Sequence, residues 1–217
     1  MLRLKSGLEM AEPLDVLERF CEEEYAYYDA IPSDDPDRIA PVDVLATVAM
    51  NSFVNNAAAV RRVHRGMAEA CDAALASIPV DADLRSFDLD PLRDLLDRAC
   101  RVRGVLVAVA TKVLHRKRRA YIPMLDSVVI AYYRGTDVAV SGAALADGAR
   151  AAAAVMPAVD AFRSDLIAAW GELTELVGSL GDGGFEVTQL RALELLLWVG
   201  TEPAGYYRNE TGSGFRG

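Results

Sequence analysis

Cysteine, histidine and aromatic residues are all scarce in this chain of 217 residues, which has three cysteines, two histidines and 7% aromatics. Cys21, Cys71 and Cys100 are odd in number and far apart, so they read as reduced, buried thiols and not as a disulfide framework. His64 and His115 do not make a histidine-rich metal site, and neither HExxH nor CxxC spacing occurs. The phosphate-loop patterns GxxxxGK(S/T) and GxGxxG are missing too. Gly181-Asp182-Gly183-Gly184 follows no strand and reads as a helix stop. No metal and no cofactor is therefore expected. The longest apolar run, Val105–Ala110, is far short of the ~20 residues that span a bilayer, and the first residues hold no stretch of signal-peptide length. A cytoplasmic protein with no membrane partner is expected.

What is present is an ordinary globular composition, 52% hydrophobic and 25% charged, which excludes disorder and collagen-like structure. The length suits one large domain or two small ones. One helical domain over 1–200 is expected, with a candidate subdivision near 80–90 and a loose tail over 201–217.

The dominant period is helical. Leu14, Leu17, Cys21, Tyr25 and Tyr28 follow a three-to-four spacing after Pro13, which predicts a helix over Pro13–Asp29. Pro41-Val42-Asp43 opens a long segment running to Ile78, with Asn51, Ser52, Asn55 and Asn56 as candidate interruptions. Asp90-Pro91 starts what reads as one long helix through Leu114. Asp126-Ser127 caps a short helix ended by Gly135, Ser141–Gly178 is helical with a break at Pro157, and Thr188–Val199 is a capped amphipathic helix. Strand alternation is sustained nowhere, and the best candidate, Asp137–Val140, is too short to build a sheet. The fold class is all-α, a compact multi-helix bundle of about six to eight helices.

Charge is distributed unevenly. Arg98, Arg101, Arg103, Lys112, Arg116, Lys117, Arg118 and Arg119 lie within 22 residues that contain no acidic side chain. The net charge of −9 thus divides into +8 in this segment and −17 elsewhere. One reading pairs these cations internally, with Asp34, Asp35 and Asp37 as candidate partners, or with a helix dipole. The other is an anion site on a nucleic-acid backbone, with His115, Arg116, Lys117, Arg118 and Arg119 at the mouth of a helix-to-helix loop and Arg103 nearby. Elsewhere, Arg61-Arg62-Val63-His64-Arg65 reads as a solvated basic face, and Ala151–Ala154 as a stretch for close helix packing or a homodimer seam.

Ala110-Thr111-Lys112-Val113-Leu114-His115 and Ile122-Pro123-Met124-Leu125-Asp126-Ser127-Val128-Val129 resemble an uncharacterised, mostly actinobacterial family of helical proteins. Tyr27-Tyr28-Asp29, Ile39–Ala46 and Leu190-Arg191-Ala192-Leu193-Glu194 fit the same family, so the likeness covers most of the chain. The order Lys, Pro, Asp-x-x-Val is also similar to helix-hairpin-helix base-excision DNA glycosylases over about twenty residues. That resemblance implies a carboxylate role for Asp126 and an amine-nucleophile role for Lys112. A carboxylate at a helix N-terminus can stabilise an oxocarbenium ion or orient a water, and a lysine between apolar turns can lose its proton and attack a sugar carbon. Tyr132, Tyr133 and Arg134 are then candidates to stack on or brace an extruded base. The chain departs from that family before Lys112, where 105–111 reads as uninterrupted helix with only Gly104 nearby. Plainer roles stand beside these: Asp126 as an ordinary N-cap, Lys112 snorkelling to solvent, the tyrosines packing at the core rim. Two functions follow, a DNA-binding protein with glycosylase-like chemistry at Asp126, or a non-catalytic interaction protein whose segment 98–119 docks on an acidic partner or a second copy.

Overall fold

The computed structural model describes residues 1–50, 52, 54, 56–136 and 148–201. Among these residues nine α-helices pack around a large apolar core, with a small second cluster at Tyr28, Ala46 and Met124, and the fold is all-α. The chain opens with a small antiparallel hairpin, β1 (Leu2–Arg3) against β2 (Glu9–Met10), closed by Gly7 at φ +103°. Leu2 and Leu4 are buried, but two-residue strands are too short to show alternation in sequence.

Helix α1 (Pro13–Glu24) starts on Pro13 and buries Leu17, Phe20 and Cys21, then tightens into a 3₁₀ turn at Tyr25–Tyr27, so the expected helix to Asp29 ends early. The segment from Pro41 divides into α2 (Pro41–Ala46), a 3₁₀ turn at Thr47–Met50 and α3 (Ala57–Leu75). Asn56 Oδ1 accepts the Ala59 N–H at 3.0 Å and starts α3, which buries Ala59, Val63, Met67, Cys71 and Leu75 at a spacing of four. Asn51 and Asn55, the other candidate interruptions apart from Ser52, lie outside the described residues.

The expected single helix from Leu92 to Leu114 is two. Helix α4 (Asp90–Cys100) ends before a turn that contains Gly104 at φ +84°, and α5 (Val107–His115) restarts after it. Periodicity missed this break because Leu95, Leu96, Ala99, Val105, Val107 and Val109 are buried on both sides of it. The short helix is as expected: in α6 (Ser127–Arg134) Asp126 Oδ1 accepts the Val128 and Val129 N–H groups at 2.9 and 3.0 Å, and Gly135 closes the helix at φ +58°.

Pro157 breaks nothing. Helix α7 (Gly148–Ala168) runs through it on the exposed side, where water can serve the freed carbonyl, and the chain bends instead at Ala169 before α8 (Trp170–Asp182). The glycine run does end α8, with Gly184 at φ +87°. Residues 137–147, including the short strand candidate at 137–140 and the start of the Ser141 helix, lie outside the described residues, as does the tail over 202–217.

Helix α9 (Gln189–Thr201) starts at Thr188, whose Oγ1 accepts the Arg191 N–H at 3.2 Å, and every residue from Leu190 to Leu197 is buried. A helix buried all round is central, and α9 packs on α1, α6, α7 and α8. Helix α7 packs most extensively on α4, burying Ala151 and Ala152. No described helix is long and apolar enough to cross a membrane.

Candidate functional site

The basic segment turns inward. Arg118 is 1% exposed, and all five of its side-chain N–H groups find acceptors: Ile78, Pro36, Lys117 and Leu75 carbonyls and Asp37 Oδ1. Arg116 donates to Asp43 Oδ1 at 3.0 Å and to the Tyr28, Ile31 and Pro32 carbonyls. Lys117 reaches Asp43 Oδ2, Ser33 Oγ and the Asp35 carbonyl. Asp43 therefore serves two cations while its Oδ2 also accepts the Ala40 N–H at the start of α2. Arg119, partly exposed, donates to the Asp29 carbonyl at 2.7 Å. At the other end of the segment, Arg98 and Arg101 pair with Asp94 and Asp97 on the surface of α4.

These contacts correct the expectation of an exposed face at 115–119. Burial in a medium of low polarisability makes a free cation costly, so each guanidinium and ammonium is bound to carbonyls and carboxylates of this same chain. Internal pairing was expected with Asp34, Asp35 and Asp37; Asp37 supplies its carboxylate and Asp35 its carbonyl, while Asp29 and Asp43 do the larger share. His115 is buried as well. Its Nδ1 donates to the Ile122 carbonyl at 2.7 Å, its Nε2 has no partner, and burial pushes its pKa down to about 3.

Tyr132 and Tyr133 are likewise engaged. The Tyr132 hydroxyl meets Ser6 Oγ at 2.7 Å and accepts the Leu8 N–H at 3.1 Å, tying the hairpin to α6. Tyr133 donates to Asp165 Oδ2 at 2.9 Å, and that buried carboxylate also accepts the Ser6 N–H at 2.8 Å. Both rings pack against the core at its rim, and their hydroxyls, bonded to protein groups, hold the hairpin on α6 and α7. Arg134 is exposed at the end of α6.

Lys112 and Asp126 lie close to a second buried polar cluster. Lys112 does not snorkel freely: its Nζ donates to the Met50 carbonyl at 2.6 Å, and burial lowers its pKa against the opposing pull of Asp126 and Glu194. Arg191 binds Asp29 through contacts of 3.1 to 3.3 Å and also binds Glu194 Oε2, with Nη2 3.9 Å from Met50 Sδ. Tyr28 donates to the Lys112 carbonyl at 2.5 Å and its ring lies beside His115. No local pattern marks Asp29, Asp43, Arg191 and Glu194 as site residues, although the segments that resemble a family contain all four. Among the described residues no group of His, Cys, Asp and Glu is placed to hold a metal ion.

The exposed positive charge lies elsewhere. Arg61, Arg62 and Arg65 are exposed on α3 and Arg103 is exposed in the α4–α5 turn, with no ion pair on any of them among the described residues. The α3 helix meets this turn closely: a Cβ on Gly104 would lie 3.5 Å from Arg62 Nη2, and one on Gly66 would lie 2.5 Å from Val102 Cγ1. About forty residues of sequence separate the two groups, so no local pattern joins them. A cavity of about 330 Å³ lies apart from them, beside Tyr28, Ile31, Arg116 and Arg119, with Glu186 at its edge.

No curated protein and no solved structure matches the chain. A family profile does match, over residues 15–201, which include both buried clusters and the basic face. The chain belongs to that family, a family of unknown function (DUF6308).

Proposed function

We propose that the chain binds a nucleic-acid backbone through the face formed by Arg61, Arg62 and Arg65 of α3 and Arg103 of the α4–α5 turn. The observation that carries this reading is the clustering of these four exposed arginines, free of ion pairs among the described residues, in a chain whose other basic segment is neutralised internally. Exposed, unpaired cations are available to displace counterions from phosphates, whereas Arg116 and Arg118 are not. The helix–turn–helix of α4 and α5, with Gly104 at its bend, adds to the resemblance to helix-hairpin-helix glycosylases, while residues 107–111 directly before Lys112 are helix in α5 and keep the departure from that family in place. Within that reading Asp126, which N-caps α6, and Lys112 are the residues for base-excision chemistry. The docking alternative through 98–119 has less support, since Arg103 alone keeps an unpaired exposed charge in that segment.

Fluorescence anisotropy with a DNA duplex at several salt concentrations tests the binding. Each arginine replaced by alanine that removes one phosphate contact is expected to shrink the slope of log K against log salt by about 0.9. Unmeasurable affinity at low salt, or a slope unchanged in the fourfold variant, overturns the proposal. A panel of damaged duplexes tests the chemistry: wild type is expected to leave abasic sites or nicks that Asp126→Asn abolishes, and no product on any lesion removes the enzymatic part.

A further inference from the structure

The cavity of about 330 Å³ beside the loop between α1 and α2 has a polar lining, and most of that lining is already engaged by the protein itself. The Ile31 and Pro32 carbonyls accept from Arg116, whose Nε binds Asp43. Ser33 Oγ donates to Asp43 and accepts from Lys117. The Asp29 carboxylate takes contacts of 3.1 to 3.3 Å from Arg191. Two charged side chains of the lining are left over.

Arg119 is the first. Its Nη2 donates to the Asp29 carbonyl at 2.7 Å, and its one carboxylate contact among the described residues is Asp29 Oδ1 at 3.8 Å, an oxygen that Arg191 already binds. Nε and Nη1 of Arg119 have no acceptor among the described residues, so most of its five N–H donors remain for a ligand. Glu186 is the second. It is exposed on the stretch between α8 and α9, and its carboxylate has no partner among the described residues. Two contacts hold that stretch to the opposite walls: the Glu186 N–H donates to the Tyr25 hydroxyl at 3.0 Å, and Thr188 Oγ1 donates to the Arg119 carbonyl at 3.2 Å. Tyr25 is itself seated edge-on against Phe185, with ring centres 5.3 Å apart. Arg119 and Glu186 therefore line one space from walls that are fixed to each other.

What the lining leaves without a partner is one cation and one anion. A phosphate dianion would meet a single free guanidinium with the Asp29 and Glu186 carboxylates beside it, and a simple cation would meet Arg119 and Arg116. A molecule with a carboxylate at one end and an ammonium at the other finds an opposite charge for both. Size agrees, because at about 30 Å³ for each water-sized group the space takes roughly ten of them, the scale of an amino acid and not of a nucleotide. We infer that this cavity binds a free amino acid, with Arg119 holding its carboxylate and Glu186 its ammonium. The Tyr25 hydroxyl, which accepts from Glu186, keeps its own proton to donate to the ligand. None of these residues belongs to the arginine face of α3, so the inference stands or falls apart from nucleic-acid binding.

Thermal unfolding of the full chain with each common amino acid at millimolar concentration, followed by saturation-transfer NMR on those that act, tests it. At least one is expected to raise the midpoint, since a ligand that binds only the folded chain stabilises it. For that amino acid, the amide, which lacks the carboxylate charge, and the N-acetyl derivative, which lacks the ammonium, are each expected to bind about tenfold more weakly. Arg119→Gln is expected to lose about tenfold toward the amino acid and to leave its amide unaffected, and Glu186→Gln to do the same with the N-acetyl derivative. Glu186 is exposed, so its variant and the two derivatives keep the test available should Arg119→Gln fail to fold. No amino acid bound by the wild type, derivatives that bind as well as their parent, or an unchanged affinity in either folded variant overturns the inference. Tighter binding of inorganic phosphate than of any amino acid overturns it as well.

Discussion

His115 illustrates how a single side chain acquires its character from its surroundings. In sequence it stands at the head of a basic run, yet it is 1% exposed with one ring nitrogen donated to Ile122 and the other unpartnered. Its pKa falls from 6.5 to about 3 because burial penalises the imidazolium. Above pH 6.5 the ring is neutral in both folded and unfolded chains. Below it the unfolded chain takes up a proton that the folded chain refuses until about pH 3, so stability drops as pH falls through that window. Urea unfolding of the wild type is expected to lose about 2 kcal/mol to this group between pH 7 and pH 5, and His115→Asn to lose that much less over the same interval. Glu194 acts in the opposite sense. Its raised pKa stabilises the fold below about 4.5 and ceases to do so as pH rises through about 7, so the comparison with His115→Asn isolates the histidine.

At the level of elements, the meeting of α3 with the α4–α5 turn decides whether the exposed arginines act together. Gly66 lies where the two touch, and an added methyl group there meets Val102, whose branched side chain has little freedom to turn away. Gly66→Ala is expected to cost about 1–3 kcal/mol, read as a fall of several degrees in the thermal midpoint. Helix boundaries with a chemical signature were legible: Asn56, Asp126, Thr188, Gly135 and the glycine run after Asp182 all act as caps or stops. The break after Cys100 was not, because apolar residues continue through the turn and its one local sign was Gly104. Pro157 erred the other way, since a proline on the solvent side of a long helix costs little when water serves the freed carbonyl.

Across the whole molecule, the basic residues divide into a structural set and a surface set. Arg118→Met strands the Asp37 carboxylate contact and four backbone acceptors, and an expected loss of about 3–5 kcal/mol should appear in chemical denaturation. Arg103→Met is expected to change stability by less than about 0.5 kcal/mol and to act on binding alone. A variant at Arg118 that unfolded no more readily than the Arg103 variant would contradict this division. The buried set does more than neutralise charge: through Asp29, Asp37 and Asp43 it fixes the loop between α1 and α2 against the end of α5 and the end of α3.

The sequence by itself determined the all-α class, several caps and stops, and the charge asymmetry, because periodicity, capping chemistry and charge counts are local properties. Tertiary structure alone decided which cations are free. Asp29 and Asp43 lie seventy to ninety residues before the basic run, and Arg191 and Glu194 more than seventy after it, so no local pattern could reveal that they meet. Buried charge is tolerated only where a partner arrives, and that partner is supplied by the packing of α2, α5 and α9.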